Sequence, residues 1–185
     1  DWSWSRGLGD VYKRQIYPGI VHWVNVNGDD YLDLVTIGSD ENEELGLRVY
    51  LNNSNYVFSK GLTWDSNIYG VTAGSVAFAD YNSDGRDDFV LTGLNRNNQL
   101  VTYILTNSIN RYEVKTGHVL EGVFFGKPSW GDYDSDGDLD LIITGQSSRD
   151  PSMGLGLDPI TILYKQSGSG SFEIDNMLTP VSYTH

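Results

Sequence analysis

The chain has 185 residues with 25 Asp and Glu against 12 Lys and Arg, a formal charge of −13; that balance argues against a nucleic-acid backbone or an anionic membrane as partner and suits cations. With no cysteine, neither a disulfide scaffold nor a thiolate metal site is available, and no apolar run approaches the ~18 residues of a membrane helix. Aromatics at 12% and 21 glycines, among many Tyr, Val, Ile and Thr, favour a β protein with tight turns, long enough for one domain or several small repeated units.

Along the chain, the opening DWSWSRGLGDVYKRQ (1–15) and the closing PVSYTH (180–185) match neither each other nor the pattern between them. Both resemble translated sequencing-adapter read-through, so both are expected to be non-native extensions. Between them three segments align without gaps: NVNGDDYLDLVTIG from Asn25, DYNSDGRDDFVLTG from Asp80 and DYDSDGDLDLIITG from Asp132. Their starts lie 55 and 52 residues apart, a period suited to one four-stranded propeller blade. The units this suggests are 16–74, 75–126 and 127–179.

Each unit carries the same elements in the same order. Trp23, Phe78 or Trp130 stands two positions before the acidic segment, in register, and is expected to pack between blades. A short apolar run follows (Leu34 to Ile37, Phe89 to Leu91, Leu141 to Ile143) and ends at Gly38, Gly93 or Gly145; it suits a strand buried on both faces. LGLRVYLNN, QLVTYILTN and ITILYKQSG come next, then YVFSK, RYEVK and SFEID, β-type segments separated by Asn, Ser and Gly turns. NIYGVTAGSVAFAD and HVLEGVFFGKPSWGD lead into the second and third repeats. No stretch has convincing helical periodicity. The fold class is all-β: three consecutive four-stranded blades of an incomplete β-propeller.

The acidic segments hold the chemistry. In D-x-[DN]-x-D-G-x-x-D, side-chain oxygens at positions one, three, five and nine and the carbonyl at position seven can converge on one point, while glycine at six permits a sharp turn. Ca²⁺, which takes six to eight oxygen ligands at about 2.3–2.6 Å, suits that arrangement. The third loop offers Asp132, Asp134, Asp136 and Asp140 with the carbonyl of Asp138. The second offers Asp80, Asn82, Asp84 and Asp88 with the carbonyl of Arg86. The first offers Asn25, Asn27, Asp29 and Asp33 with the carbonyl of Tyr31, but Asp30 replaces the turn glycine. Carboxylates number four, three and two, so up to three Ca²⁺ are expected, bound most strongly at the Asp132 loop and most weakly at the Asn25 loop. An EF-hand begins alike but needs a bidentate Glu at position twelve and flanking helices; Thr36, Leu91 and Ile143 stand there. Metal-free Asx turns are the alternative for each loop.

These motifs resemble the calcium-binding FG-GAP repeats of integrin α-chain propellers and, more closely, the bacterial VCBS/FG-GAP-like repeats of large secreted and cell-surface proteins. SVAFADYNSDGRDDFVLTG carries the SVA, the acidic loop and the buried strand of that family, and the resemblance covers nearly all of residues 20 to 178. The Gly-Ala-Pro that follows this strand in integrins is replaced by IGS, TGL and TGQ, a departure at the element tied to integrin-type ligand recognition. The resemblance implies a ring of about seven blades, so the remaining blades are expected as partners, and an extracellular or cell-surface location is expected with it.

Three functional readings stand: a non-catalytic, calcium-stabilised scaffold for adhesion or for binding a glycan or protein; part of a propeller enzyme acting on polysaccharide, of lyase type; or a calcium-rigidified spacer for another domain. No nucleophile–base pair, phosphate loop or acid–base motif is present, and the first reading is preferred. Asp87 and Asp138 read as solvated charges beside the ligand positions, His22 and His118 as structural or surface residues, and Trp64 and Tyr69 as packing groups. SSRDPSMGLGLDP, longer than its counterparts SDENEE and NRNN, reads as a binding loop or a tolerated insertion.

Overall fold

Each repeat folds into a four-stranded antiparallel meander. The computed structural model describes residues 17–39, 45–54, 57–61, 71–108, 112–117, 120–147, 159–168 and 170–178. The segments 1–15 and 180–185, Trp64, Tyr69, His118 and residues 148–158 of the long third-repeat loop lie outside the described residues.

The first sheet orders β1 (Tyr17–Val24), β2 (Asp33–Ser39), β3 (Leu45–Asn52) and β4 (Phe58–Lys60). The second orders β5 (Thr72–Ala79), β6 (Asp88–Leu94), β7 (Leu100–Asn107) and β8 (Tyr112–Val114). In the third, β9 (Phe124–Gly131), β10 (Asp140–Gln146), β11 (Pro159–Ser167) and β12 (Ser171–Leu178) pair likewise, and no helix occurs among the described residues. The architecture is thus all-β, in sheets of the propeller-blade type. Strands β5 and β9 begin three residues ahead of the divisions at 75 and 127 that the repeat period suggested.

Alternation along the strands explains how the sheets stack. Side chains of successive strand residues point to opposite faces, so Phe89, Leu91 and Leu105 join Val35, Ile37 and Val49 in one core, while Val90 and Ile104 join Leu141, Ile143, Ile162 and Tyr164 in a second. The middle sheet is covered on both sides, and every residue of β6 is buried. Each such aliphatic or aromatic side chain contributes about 1.5–3 kcal/mol on leaving water. The first strands adjoin one another, β5 packing beside β9 and beside β1.

Polar ties cross the same junctions. Asn107 Nδ2 donates to the Val26 carbonyl at 2.9 Å, and at the equivalent place in the next repeat Gln166 Nε2 donates to the Tyr81 carbonyl at 3.1 Å. Trp130 stacks on Tyr81, with centroids 5.5 Å apart and planes within 7°, and its Nε1 donates to the Ala77 carbonyl at 3.1 Å. Phe78 packs against the first core, its ring 4.7 Å from His22. Trp23 differs: it is 53% exposed and lies against Phe58 of its own sheet. Inter-blade packing therefore holds for Phe78 and Trp130, while the exposed face of Trp23 points away from the other two sheets.

Every first strand also carries an irregularity. Ladder registers shift between Tyr17 and Ile20, between Thr72 and Ser75, and opposite Thr144–Gln146. Gly19, Gly74 and Gly126 stand there, each four residues before the repeated aromatic. A Cβ on Gly74 would lie 1.6 Å from the Thr92 carbonyl oxygen, so only glycine lets the backbones approach this closely.

Candidate metal sites

Two left-handed residues bend the second and third acidic loops. Position four has positive φ in all three repeats, at Gly28 (79°), Ser83 (58°) and Ser135 (62°). Position six is left-handed at Gly85 (84°) and Gly137 (94°) only; Asp30, which fills it in the first loop, is not among the residues with positive φ. Lacking glycine at that point, the first loop turns differently, and Asn25 Oδ1 accepts from Gly28 N at 2.8 Å.

The polar side chains fold inward onto backbone N–H groups. Asp80 accepts from Asp84 N (2.9 Å) and Gly85 N (2.8 Å), and Asp132 accepts from Asp136 N and Gly137 N, both at 3.1 Å. At position three, Oδ1 of Asn27, Asn82 and Asp134 accepts the position-five N–H at 3.0, 3.0 and 3.3 Å. At position five, Oδ1 of Asp29, Asp84 and Asp136 accepts the N–H of Tyr31, Arg86 and Asp138 at 2.8, 3.0 and 3.0 Å. In the third repeat this brings oxygens of Asp132, Asp134 and Asp136 within 4.8 Å of one another, all three residues exposed. Such a triad can hold a metal ion.

Position nine is different, because Asp33, Asp88 and Asp140 are buried. Asp33 accepts from Val26 N and Asn52 N, both at 2.9 Å, and Asp140 accepts from Tyr133 N (3.2 Å) and Gln166 N (2.9 Å). Each carboxylate thereby clamps its loop to the third strand of its own sheet. Asp88 Oδ1 accepts from Asn107 N at 2.7 Å, but its Oδ2 is buried with no hydrogen-bond partner. Burial, with smaller contributions from Asp84 and Asp80, pushes the Asp88 carboxyl up to about 7. A buried carboxylate oxygen without a donor beside two further carboxylates fits a cation.

Basic groups also enter these loops, which residue spacing did not foretell. Arg86 Nη2 lies 2.5 Å from Asp84 Oδ2 while its Nε donates to the Asn107 carbonyl at 2.9 Å. In the third loop Lys165 Nζ, from β11, pairs with Asp134 Oδ2 and stands 3.2 Å from Asp136 Oδ2. The Asp138 N–H, then Lys165, hold the Asp136 carboxyl below the ordinary carboxylate range, and Asp134 and Asp136 push the Lys165 ammonium up. Asp87 is raised, chiefly by burial and then by Asp80; its main-chain carbonyl accepts from the Tyr112 hydroxyl at 3.1 Å.

The geometry agrees with sequence comparison. A family model described as FG-GAP-like repeat matches residues 25–91 and again 80–143. The chain belongs to the FG-GAP-like repeat family. Each matched FG-GAP-like segment starts at position one of an acidic loop and ends in the strand after the next one, so the family unit spans two neighbouring loops, the last three strands of one sheet and the first two of the next. No curated protein matches the chain. Among solved structures it is similar to a lectin of Agrocybe aegerita, whose description gives specific recognition of non-reducing terminal N-acetylglucosamine, with 20% identity and a TM-score of 0.54. That likeness covers 87% of this chain and 37% of the lectin chain, and at this identity it bears on the fold alone.

Proposed function

We propose that the chain is part of a non-catalytic extracellular recognition or adhesion scaffold whose FG-GAP-like blades bind structural Ca²⁺. The observation that carries this reading is the third loop, where Asp132, Asp134 and Asp136 converge in a frame that recurs twice more at blade spacing. The unpartnered Asp88 Oδ2 in the second loop supports it. Calcium takes more oxygen ligands than Mg²⁺ and tolerates the irregular geometry of carboxylates, amides and carbonyls on a turn. Its role here is to neutralise like charge and pin each loop to its sheet. Rigid sheets then present the connecting loops, the usual place for recognition on such scaffolds. The lectin neighbour makes a glycan the first ligand class to try, and the remaining blades of a ring are the expected structural partners.

Calorimetric titration of the chain with CaCl₂ after chelation tests the metal reading. Saturable heat that drops when Asp132 and Asp134 are both replaced by Asn is the expected result. No heat at millimolar calcium, with the chain folded, overturns it. Titration of terminal N-acetylglucosamine into the calcium-loaded chain then tests recognition separately.

A further inference from the structure

The first acidic loop contains an Asn–Gly step, Asn27 and Gly28, and no other asparagine in the sequence precedes a glycine. Such a step can react with itself. The Gly28 main-chain nitrogen attacks Cγ of Asn27 and gives up its proton, the Cγ–Nδ2 bond breaks, and ammonia leaves with that proton. A cyclic imide remains, and water opens it at either carbonyl to give aspartate or isoaspartate at position 27. Glycine favours the attack because no Cβ crowds the nitrogen.

The fold brings to Asn27 the groups that this reaction needs. Both Asn27 and Gly28 are exposed, so water reaches the imide. Asn27 Oδ1 accepts from Asp29 N at 3.0 Å. That bond bridges Gly28, folds the side chain back over the Gly28 peptide, and sets a donor where negative charge develops as the nitrogen adds to Cγ. Asn27 Nδ2 donates to Asp29 Oδ2 at 2.8 Å, so a carboxylate faces the nitrogen that has to leave and favours its ammonium-like form. Asn25 Oδ1 accepts the Gly28 N–H at 2.8 Å, which raises the electron density on the attacking nitrogen. Asp29 is itself fixed, its Oδ1 by Tyr31 N at 2.8 Å and its carbonyl by Asn25 Nδ2.

The second loop is an internal control. Asn82 holds the same position, exposed, with the same bond from Asp84 N at 3.0 Å. Ser83 follows it in place of glycine, and Asp84 Oδ2 is turned to Arg86 Nη2 at 2.5 Å. We propose that Asn27 is a self-modifying position: in the folded chain it deamidates ahead of every other asparagine, with Gly28 N as nucleophile and the Asp29 N–H and carboxylate assisting. The aspartyl product adds a negative charge to the loop. The isoaspartyl product also lengthens the main chain at the turn by a methylene, so that Gly28 N and Asp29 N move off their acceptors. One consequence rests on the calcium reading above: the aspartyl product raises the carboxylates of the first loop from two to three, the number in the second.

Timed peptide mapping by mass spectrometry, with the 185-residue chain held in EDTA at neutral pH, tests this, and chelation makes the outcome independent of calcium binding. Folded wild type is expected to lose the Asn27 amide severalfold faster than the Asn82 amide, and at least as fast as the chain unfolded in urea. Gly28→Ser is expected to bring position 27 down to the rate of Asn82; serine already holds positive φ at the matching positions Ser83 and Ser135, so this variant keeps the turn. Asp29→Asn keeps the side-chain shape and removes the charge, and is expected to slow the folded chain while leaving the rate in urea unchanged. An Asn27 that keeps its amide in the folded chain while converting in urea, one that converts no faster than Asn82, or a folded rate untouched by Asp29→Asn overturns the proposal.

Discussion

At the scale of single residues, the acidic loops contain two kinds of aspartate. Asp132, Asp134 and Asp136 are exposed, whereas Asp33 is buried and satisfies two backbone donors, Val26 N and Asn52 N. Removing a partner from a buried donor costs about 1–3 kcal/mol. Asp33→Ala is therefore expected to lower denaturant-measured stability by roughly 2–5 kcal/mol in chelator and calcium alike, while Asp132→Ala acts mainly when calcium is present. The Lys165 ammonium occupies carboxylate oxygens that a metal would use, so Lys165→Met should tighten calcium binding severalfold, read by calorimetry. Asp88 gives a pH signature. Its folded-state pKa of about 7, against the ordinary 3.8, means that the folded chain binds the extra proton between those values. In chelator, stability from this group is present at pH 4 and lost as pH rises through about 7. Asp88→Asn flattens that segment of the stability–pH curve, and calcium, which favours the ionised carboxylate, removes it as well.

At the scale of elements, the sheets rest on close backbone approach and on inter-sheet aromatics. Gly74→Ala would push a Cβ into the Thr92 carbonyl, so β5 must separate from β6 at its bulge; thermal unfolding should record one of the larger single-residue losses in the chain. Trp130→Ala removes a ring stacked on Tyr81 and a bond to Ala77, at a cost of about 3 kcal/mol. Much of this level was legible in the sequence. The runs from Leu34, Phe89 and Leu141 became second strands because uninterrupted apolar residues need cover on both faces, and β6 has it. The acidic frame was legible because its ligands are local, within nine residues. Two things were not. Lys165 reaches the third loop from 31 residues away through strand pairing, which spacing cannot register. The exposure of Trp23 depends on which sheets stand beside the first one, and its repeat position is identical to that of the half-buried Trp130. The bulge glycines Gly19, Gly74 and Gly126 did leave a signal, a fixed distance of four residues to the aromatic, within stretches that looked like connections.

For the whole molecule, the governing facts are a large negative charge concentrated on loops and a stack of sheets whose middle member contributes to a core on each side. Charge of one sign on a compact body opposes folding, and divalent ions bound only by the native loops offset it. Binding to the native state alone raises stability by RT ln(1 + [L]/Kd), about 2.7 kcal/mol at a hundredfold excess over Kd. The most direct test is thermal unfolding of the chain in excess EDTA and through a calcium titration, with Asp136→Ala alongside. The account predicts a melting temperature that climbs with calcium concentration, and a climb that shrinks in the variant. A melting temperature identical in EDTA and in millimolar calcium would contradict it, leaving the three loops as acidic turns held by their own backbone hydrogen bonds.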